Sequence, residues 1–270
     1  MKRWHFLLLW VTIATACNNH EPKESPKAAS RIQEPSPQVK RLYQNVASYP
    51  DSIGLRLLLV NALDSAGDYR PALQQMDSLL RKDSLNFGLW FRKATLQEHT
   101  KDTSGALQSY HFAARIYPSP DALLAMANLY AEQKNNKALA LCAQVDAMRL
   151  GREYTAHTSF ISGVYYARTR NASKAIDLFN RCIANDYTYM EAYMEKGFLY
   201  FDARKTEEAR KVFETATSVR VNYADAWYWL AKCQETQNDR AGAIKSYQTA
   251  LALDPGITEA TAALKKLGVN

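Results

Sequence analysis

The sequence predicts an all-α fold, a solenoid of stacked helix pairs, on three observations. The first is a fixed period. Ala175, Ala209 and Ala243 recur 34 residues apart, as do Phe179, Phe213 and Tyr247, and then Cys182, Ala216 and Ala250. The second is the spacing inside each set. A small residue, an aromatic four later and a small residue three after that share one helix face. The third is composition. Only 10 of the 270 residues are Gly and 9 are Pro, and Pro22, Pro26, Pro35 and Pro37 all lie before residue 40. The rest of the chain is poor in turn formers, which suits helices joined by short loops. A period in this range means that each unit buries its apolar face on its neighbours. Such chains act by binding along an extended surface.

Met1-Lys2-Arg3 is a basic start, and Phe6 to Ala16 is mostly apolar and uncharged. Eleven helical residues would span roughly 16 Å, well short of the ~30 Å hydrocarbon core. Residues 1–16 therefore predict a secretory signal peptide. The segment ends Ala14-Thr15-Ala16-Cys17, which resembles the lipobox of bacterial lipoproteins. That resemblance implies a diacylglycerol on the Cys17 thiol, cleavage that leaves Cys17 as the N-terminus, and a further acyl chain such as palmitate on its amine. The family more often has Leu where Ala14 stands, and an ordinary signal peptidase also accepts Ala14-x-Ala16. Each buried CH₂ contributes ~0.8 kcal/mol, so several acyl chains anchor firmly. Asn18 is not the Asp that retains enterobacterial lipoproteins in the inner membrane, so the resemblance implies the outer membrane.

Residues 17–37 are rich in Pro, Ser, Lys and Glu and predict a flexible tether, with a typical reach of roughly 25 Å. The formal charge is +7, and removal of Lys2 and Arg3 with the leader leaves +5. No run of five basic residues occurs, which argues against a nucleic-acid partner. Cys142, Cys182 and Cys233 match no zinc spacing. Cys142 and Cys182 fall at packed positions of the repeat, and no disulfide is expected.

The register is clearest in residues 224–257, where Trp227, Leu230, Ala231, Ala243, Tyr247, Ala250 and Pro255 occupy positions 4, 7, 8, 20, 24, 27 and 32. This pattern resembles the tetratricopeptide repeat closely. Residues 190–223 repeat it with Tyr193, Gly197, Ala209, Phe213 and Ala216, and residues 156–189 with Gly163, Ala175, Phe179 and Cys182. Residues 120–155 form a longer unit with Leu123, Ala127, Tyr130 and Ala138. Residues 87–119 carry Trp90, Ala94, Ala106, Tyr110, Ala113 and Pro118, and residues 53–86 are the most diverged. A helix over 38–52 resembles the second half of a further unit, and 258–270 resembles a capping helix. The resemblance implies a right-handed superhelix of six units, 53–257, with the capping helix after it.

In that family the first helix of each pair lines the inner groove through positions 2, 5, 9 and 12. Reading those positions gives an apolar stripe of Phe91, Leu124, Phe160, Val164, Met194, Phe198, Phe201 and Tyr228, with Asn128 beside it. Exposed aromatic stripes mark contact surfaces. The carboxylate clamp of chaperone-binding members, Lys at position 5 and Asn at position 9, is missing, because Leu57 and Leu124 stand where Lys is needed. His99, His111 and His157 share no spacing, and the sequence holds no nucleophile elbow or phosphate loop. The expectation is a lipid-anchored scaffold of the bacterial cell envelope, not an enzyme and without cofactor or metal. It would bind an envelope protein or peptide in the groove. The alternative is a self-associating scaffold, a homodimer without a peptide client.

Overall fold

The computed structural model describes residues 34–269; the predicted leader, Cys17 and the tether up to residue 33 lie outside the described residues. Among the described residues there are fourteen helices and no strand. A lone helix, α1 (Pro37–Ser48), precedes six antiparallel pairs. These are α2 (Ile53–Ser65) with α3 (Tyr69–Lys82), α4 (Phe87–His99) with α5 (Thr103–Ile116), and α6 (Pro120–Glu132) with α7 (Lys137–Ala147). They continue as α8 (Arg152–Arg168) with α9 (Ala172–Asn185), α10 (Met190–Asp202) with α11 (Thr206–Val219), and α12 (Ala224–Thr236) with α13 (Arg240–Leu253). A short helix, α14 (Thr258–Lys266), packs on α13.

Local chemistry starts and stops these helices. Ser36, Ser52, Asn86, Asp102, Ser119, Asn171 and Asp239 each accept the backbone N–H three residues on, as N-caps do. Pro37 and Pro120 stand in the first turns of α1 and α6, where no N–H is needed. Every first helix ends in the same way. One residue takes a left-handed φ: Gly67, Lys101, Lys134, Arg170, Arg204 or Asn238. The next residue then donates its N–H back five residues, as Asn171 does to the Tyr166 carbonyl at 2.8 Å and Lys205 to Tyr200 at 2.9 Å. That bond closes a tight helical stop and reverses the chain into the second helix.

The second helices carry the core. In α3 the buried face is Ala72, Met76 and Leu79; in α5 it is Ala106, Tyr110 and Ala113; in α7 it is Ala138, Cys142 and Val145. In α9 it is Ala175, Phe179 and Cys182, in α11 Ala209, Phe213 and Ala216, and in α13 Ala243, Tyr247 and Ala250. None of these exceeds 2% exposure. The middle residue plugs the gap against its partner helix, where position 8 must be small. A Cβ added to Gly163 would lie 2.6 Å from Phe179, and one on Gly197 2.4 Å from Phe213. Where the plug is Tyr, position 8 is Ala94 or Ala231, and the hydroxyl donates to Glu98 (2.5 Å) or Glu235 (2.8 Å). Each fully buried ring contributes about 1.5–3 kcal/mol.

Each second helix also packs on the following first helix, so core residues run along the chain in four contiguous clusters. Cys233 joins Cys142 and Cys182 among the buried residues, all three as free thiols. Burial pushes Cys142 up to about 11 and Cys182 and Cys233 to about 12, so none is a ready nucleophile.

The Gly197–Phe213 contact has a testable sign. Gly to Ala in a helix interior gains about 1 kcal/mol of propensity, whereas overpacking a filled core costs about 1–3 kcal/mol. Gly197→Ala is expected to lower Tm, and Gly197→Ala combined with Phe213→Leu to recover part of the loss, read by thermal denaturation. A raised Tm in the single variant would show that the ring is not the limiting contact.

Candidate partner-binding face

The first helices stand side by side, with α8 touching both α6 and α10, and their shared face is the inner wall of the solenoid. The nine residues assigned to this wall from sequence divide into two groups. Phe91, Asn128, Phe160, Phe198, Phe201 and Tyr228 are half-buried and keep part of their surface open. Leu124, Val164 and Met194 do not line an open surface: they are 9%, 1% and 5% exposed and belong to the core. Leu124 and Val164 pack into the central core cluster and Met194 into the next one, whereas Phe160, Asn128 and Phe198 at the same two positions keep part of their surface open. The open apolar stripe is therefore interrupted at its centre.

The aromatic surface concentrates instead on α10 and α12, around a residue outside the four groove positions. Trp229, at position 6, meets Phe198 at 4.8 Å and Phe201 at 5.5 Å, both edge-on, and Tyr228 at 5.7 Å. Behind it lies the plug of the repeat, Phe213, stacked at 6.2 Å. Phe160 packs more locally, on Tyr189 at 4.9 Å and Phe179 at 5.9 Å. His157 sits beside it, its Nδ1 3.2 Å from the Tyr189 hydroxyl. Phe91 meets Tyr110 edge-on at 5.3 Å. These rings pack on one another and on the plug residues while keeping part of their surface open, which suits an anchor surface.

Between the two halves stands a charged cluster. Arg168, at the end of α8, reaches across to both neighbouring first helices. It donates to both Glu132 oxygens, at 2.9 and 3.1 Å, and to both Glu195 oxygens at 2.9 Å. Arg168, Glu132 and Glu195 are 17%, 26% and 20% exposed, so the bonds are only partly screened. A planar guanidinium can hold two carboxylates in this bidentate way; a lysine cannot. Nearby, burial and then Glu195 hold the Asp202 carboxyl above its ordinary range. Burial pushes Lys196 down. At the far end Glu235 is held low, first by the Tyr247 hydroxyl. At the near end Arg92 pairs with Asp64 at 2.7 Å.

Arg168, Glu132, Glu195 and Trp229 escape a reading confined to positions 2, 5, 9 and 12, because they occupy positions 6 and 13. Both lie one residue on from a groove position, so extending the same phase would have found them. Among the described residues no group of three or more His, Cys, Asp or Glu is placed to hold a metal, and no helix is long and apolar enough to cross a membrane. A half-open cavity of 390 Å³ between α1 and α2 is lined by Val39, Leu42, Leu58 and Asn61 among others, with no carboxylate, imidazole or thiol.

Comparison with known proteins agrees with this geometry. The family model for the tetratricopeptide repeat matches residues 57–119 and 194–256. A tetratricopeptide repeat protein from Parabacteroides merdae superposes with a TM-score of 0.68 at 17% identity, over 85% of this chain and 90% of the other. PilW, a type IV pilus biogenesis factor, gives 0.64 at 19% identity over 78% and 97%. The pilF protein of Pseudomonas aeruginosa gives 0.58 at 15% over 78% and 96%. At these identities the likeness establishes the fold alone. No curated protein matches the chain.

The position of Asp202 makes a pH prediction. Its folded pKa lies above its unfolded one, so its favourable contribution is complete below about pH 4 and is lost as pH rises through the folded value. Asp202→Asn is therefore expected to raise Tm at pH 7, with the gain vanishing below about pH 4. An Asn variant less stable than the parent at pH 7 would show that the carboxylate holds a favourable partner.

Proposed function

The chain is built from tetratricopeptide repeats, a fold suited to protein–protein interaction, and from that premise we propose that it is a membrane-anchored scaffold of the bacterial envelope. It captures a segment of a partner protein on its inner wall and performs no catalysis. The observation that carries the reading is the closely packed, partly open aromatic surface of Phe198, Phe201, Tyr228 and Trp229 beside the Arg168 cluster. Aromatic anchors next to organised charge are what interface hot spots are made of. The anchoring half of the proposal rests on Ala14-Thr15-Ala16-Cys17, and the outer membrane on Asn18. The tether of residues 17–37 then sets the reach of the repeats from the bilayer.

A second reading, self-association, is favoured by a different surface. The turns entering six successive first helices each expose a large apolar residue: Tyr49 (66%), Leu85 (79%), Tyr117 (60%), Leu150 (45%), Tyr187 (70%) and Val221 (68%). These residues lie in the turns, and none of them stands at a groove position.

Three measurements test these readings. Cys17→Ser is expected to abolish incorporation of a clickable palmitate analogue, and persistent label would remove the anchor. Cross-linking in the native envelope is expected to give partner bands that weaken in both Phe201→Ser and Asn128→Trp, with helix content unchanged by circular dichroism. Asn128→Trp adds bulk to the wall without removing a packed ring, so bands unaffected by it would count against the groove. Sedimentation of the full chain is expected to give a monomer; a dimer dissociated by Tyr117→Ser and Tyr187→Ser would favour the second reading.

A further inference from the structure

Charge in this chain is sorted by face. The chain as a whole is basic, at +7. The second helices follow that sign, with eleven Lys and Arg against six Asp and Glu over α3, α5, α7, α9, α11 and α13. The inner wall reverses it. At positions 2, 5, 6, 9, 12 and 13 of the six first helices, nine carboxylates face three cations, Arg92, Arg168 and Lys232. The imbalance is greatest around the aromatic cluster: on α10 and α12 these positions hold Glu191, Glu195, Asp202, Asp225 and Glu235 against Lys232 alone.

We infer that the segment received by the inner wall is cationic: a stretch of partner protein that carries Lys or Arg beside an apolar residue. The inference rests on the groove reading above and adds the chemistry of its occupant. Its apolar side chain would meet Phe198, Phe201 and Trp229. Its cation would lie where carboxylates and ring faces are neighbours, since a cation is attracted both by ionised oxygens and by an aromatic face.

Arg168 shows how the wall holds such a group. One guanidinium is shared by two carboxylates, so the cluster keeps a net negative charge with its own arginine in place. Asp202, exposed at the end of α10, is open to an incoming cation. An acidic segment meets the opposite situation. It would bring like charge against a partly desolvated acidic wall, which is costly and discriminates against it. The attraction is screened by salt, with a Debye length of about 10 Å at 0.1 M.

The test uses the full chain in detergent and three fluorescent peptides of about twelve residues, long enough for extended or helical docking. All share the same Leu and Phe positions; the remaining positions are Lys, Gln or Glu. Binding is followed by anisotropy. The Lys peptide is expected to bind roughly tenfold more tightly than the Gln peptide, equivalent to about 1.4 kcal/mol. The Glu peptide should bind weakest, and the order should collapse in roughly 0.5 M salt. The Lys advantage should shrink in Glu191→Gln/Asp202→Asn, a pair that leaves Glu132 and Glu195 to hold Arg168. Gln or Glu peptides that bind as tightly as Lys, yet weaken with Phe201→Ser and Asn128→Trp, would overturn the charge inference and leave the groove standing. Binding that ignores those two wall variants, or no binding by any peptide, would overturn the groove reading and this inference with it.

Discussion

The rest of the structure depends on one contact: the plug of each second helix against position 8 of its partner first helix. Phe179 and Phe213 leave no room for a Cβ on Gly163 and Gly197. In α5, α9, α11 and α13 the plug sits between small residues three and four positions away, so both helices approach closely along one line. Repetition of this geometry in four units, with Met76 and Cys142 in place of the ring in the other two, makes the stack and sets the first helices side by side. The inner wall is a consequence of this, and so is the reach of Arg168 to helices on either side.

Units two and six show how far the constraint extends. In the second, Ser109 donates to Gln97 at 2.6 Å, Tyr110 donates to Glu98, and Asp102 caps its helix at Gly105. In the sixth, Ser246, Gln234, Tyr247, Glu235, Asp239 and Gly242 repeat every bond. A Cβ on Gly105 or Gly242 would lie 2.1 or 2.3 Å from the capping carboxylate, so the glycine belongs to the same set. Both units also begin with a Trp whose indole N–H donates to the carbonyl six residues back, Trp90 to Ser84 and Trp227 to Val221. A Tyr plug thus brings a carboxylate at position 12, which ties core packing to the charge at the rim of the wall.

This dependence explains what was legible in the sequence. Packing positions recur because each must satisfy the same contact, so Ala175, Phe179 and Cys182 announce themselves by period alone. Helix pairs and the plug residues follow from that. The wall was less legible. Leu124, Val164 and Met194 stand in the right phase for the groove, yet they are buried in the core. How much of a groove position stays open depends on the side chain and on what packs around it, and a one-unit template contains no information about that. Arg168 and its partners escaped for another reason: they stand at positions 13 and 6, one residue beyond the groove positions, on three successive units.

A looser packing requirement than that of position 8 is also why positions 6 and 13 carry the chemistry. Position 8 is confined to Gly163, Gly197, Ala94, Ala127 or Ala231 in five units, whereas position 6 holds Leu58, Arg92, Ala125, Ile161, Glu195 and Trp229. Residues that no core contact dictates can take any charge without cost to the stack. Glu98 and Glu235 are tied to the Tyr plugs, but the other seven carboxylates against three cations do not follow from the plug contacts, and the basic second helices of the same chain show that composition does not force them either. A feature that neither folding nor composition requires is best read as the imprint of what the wall receives.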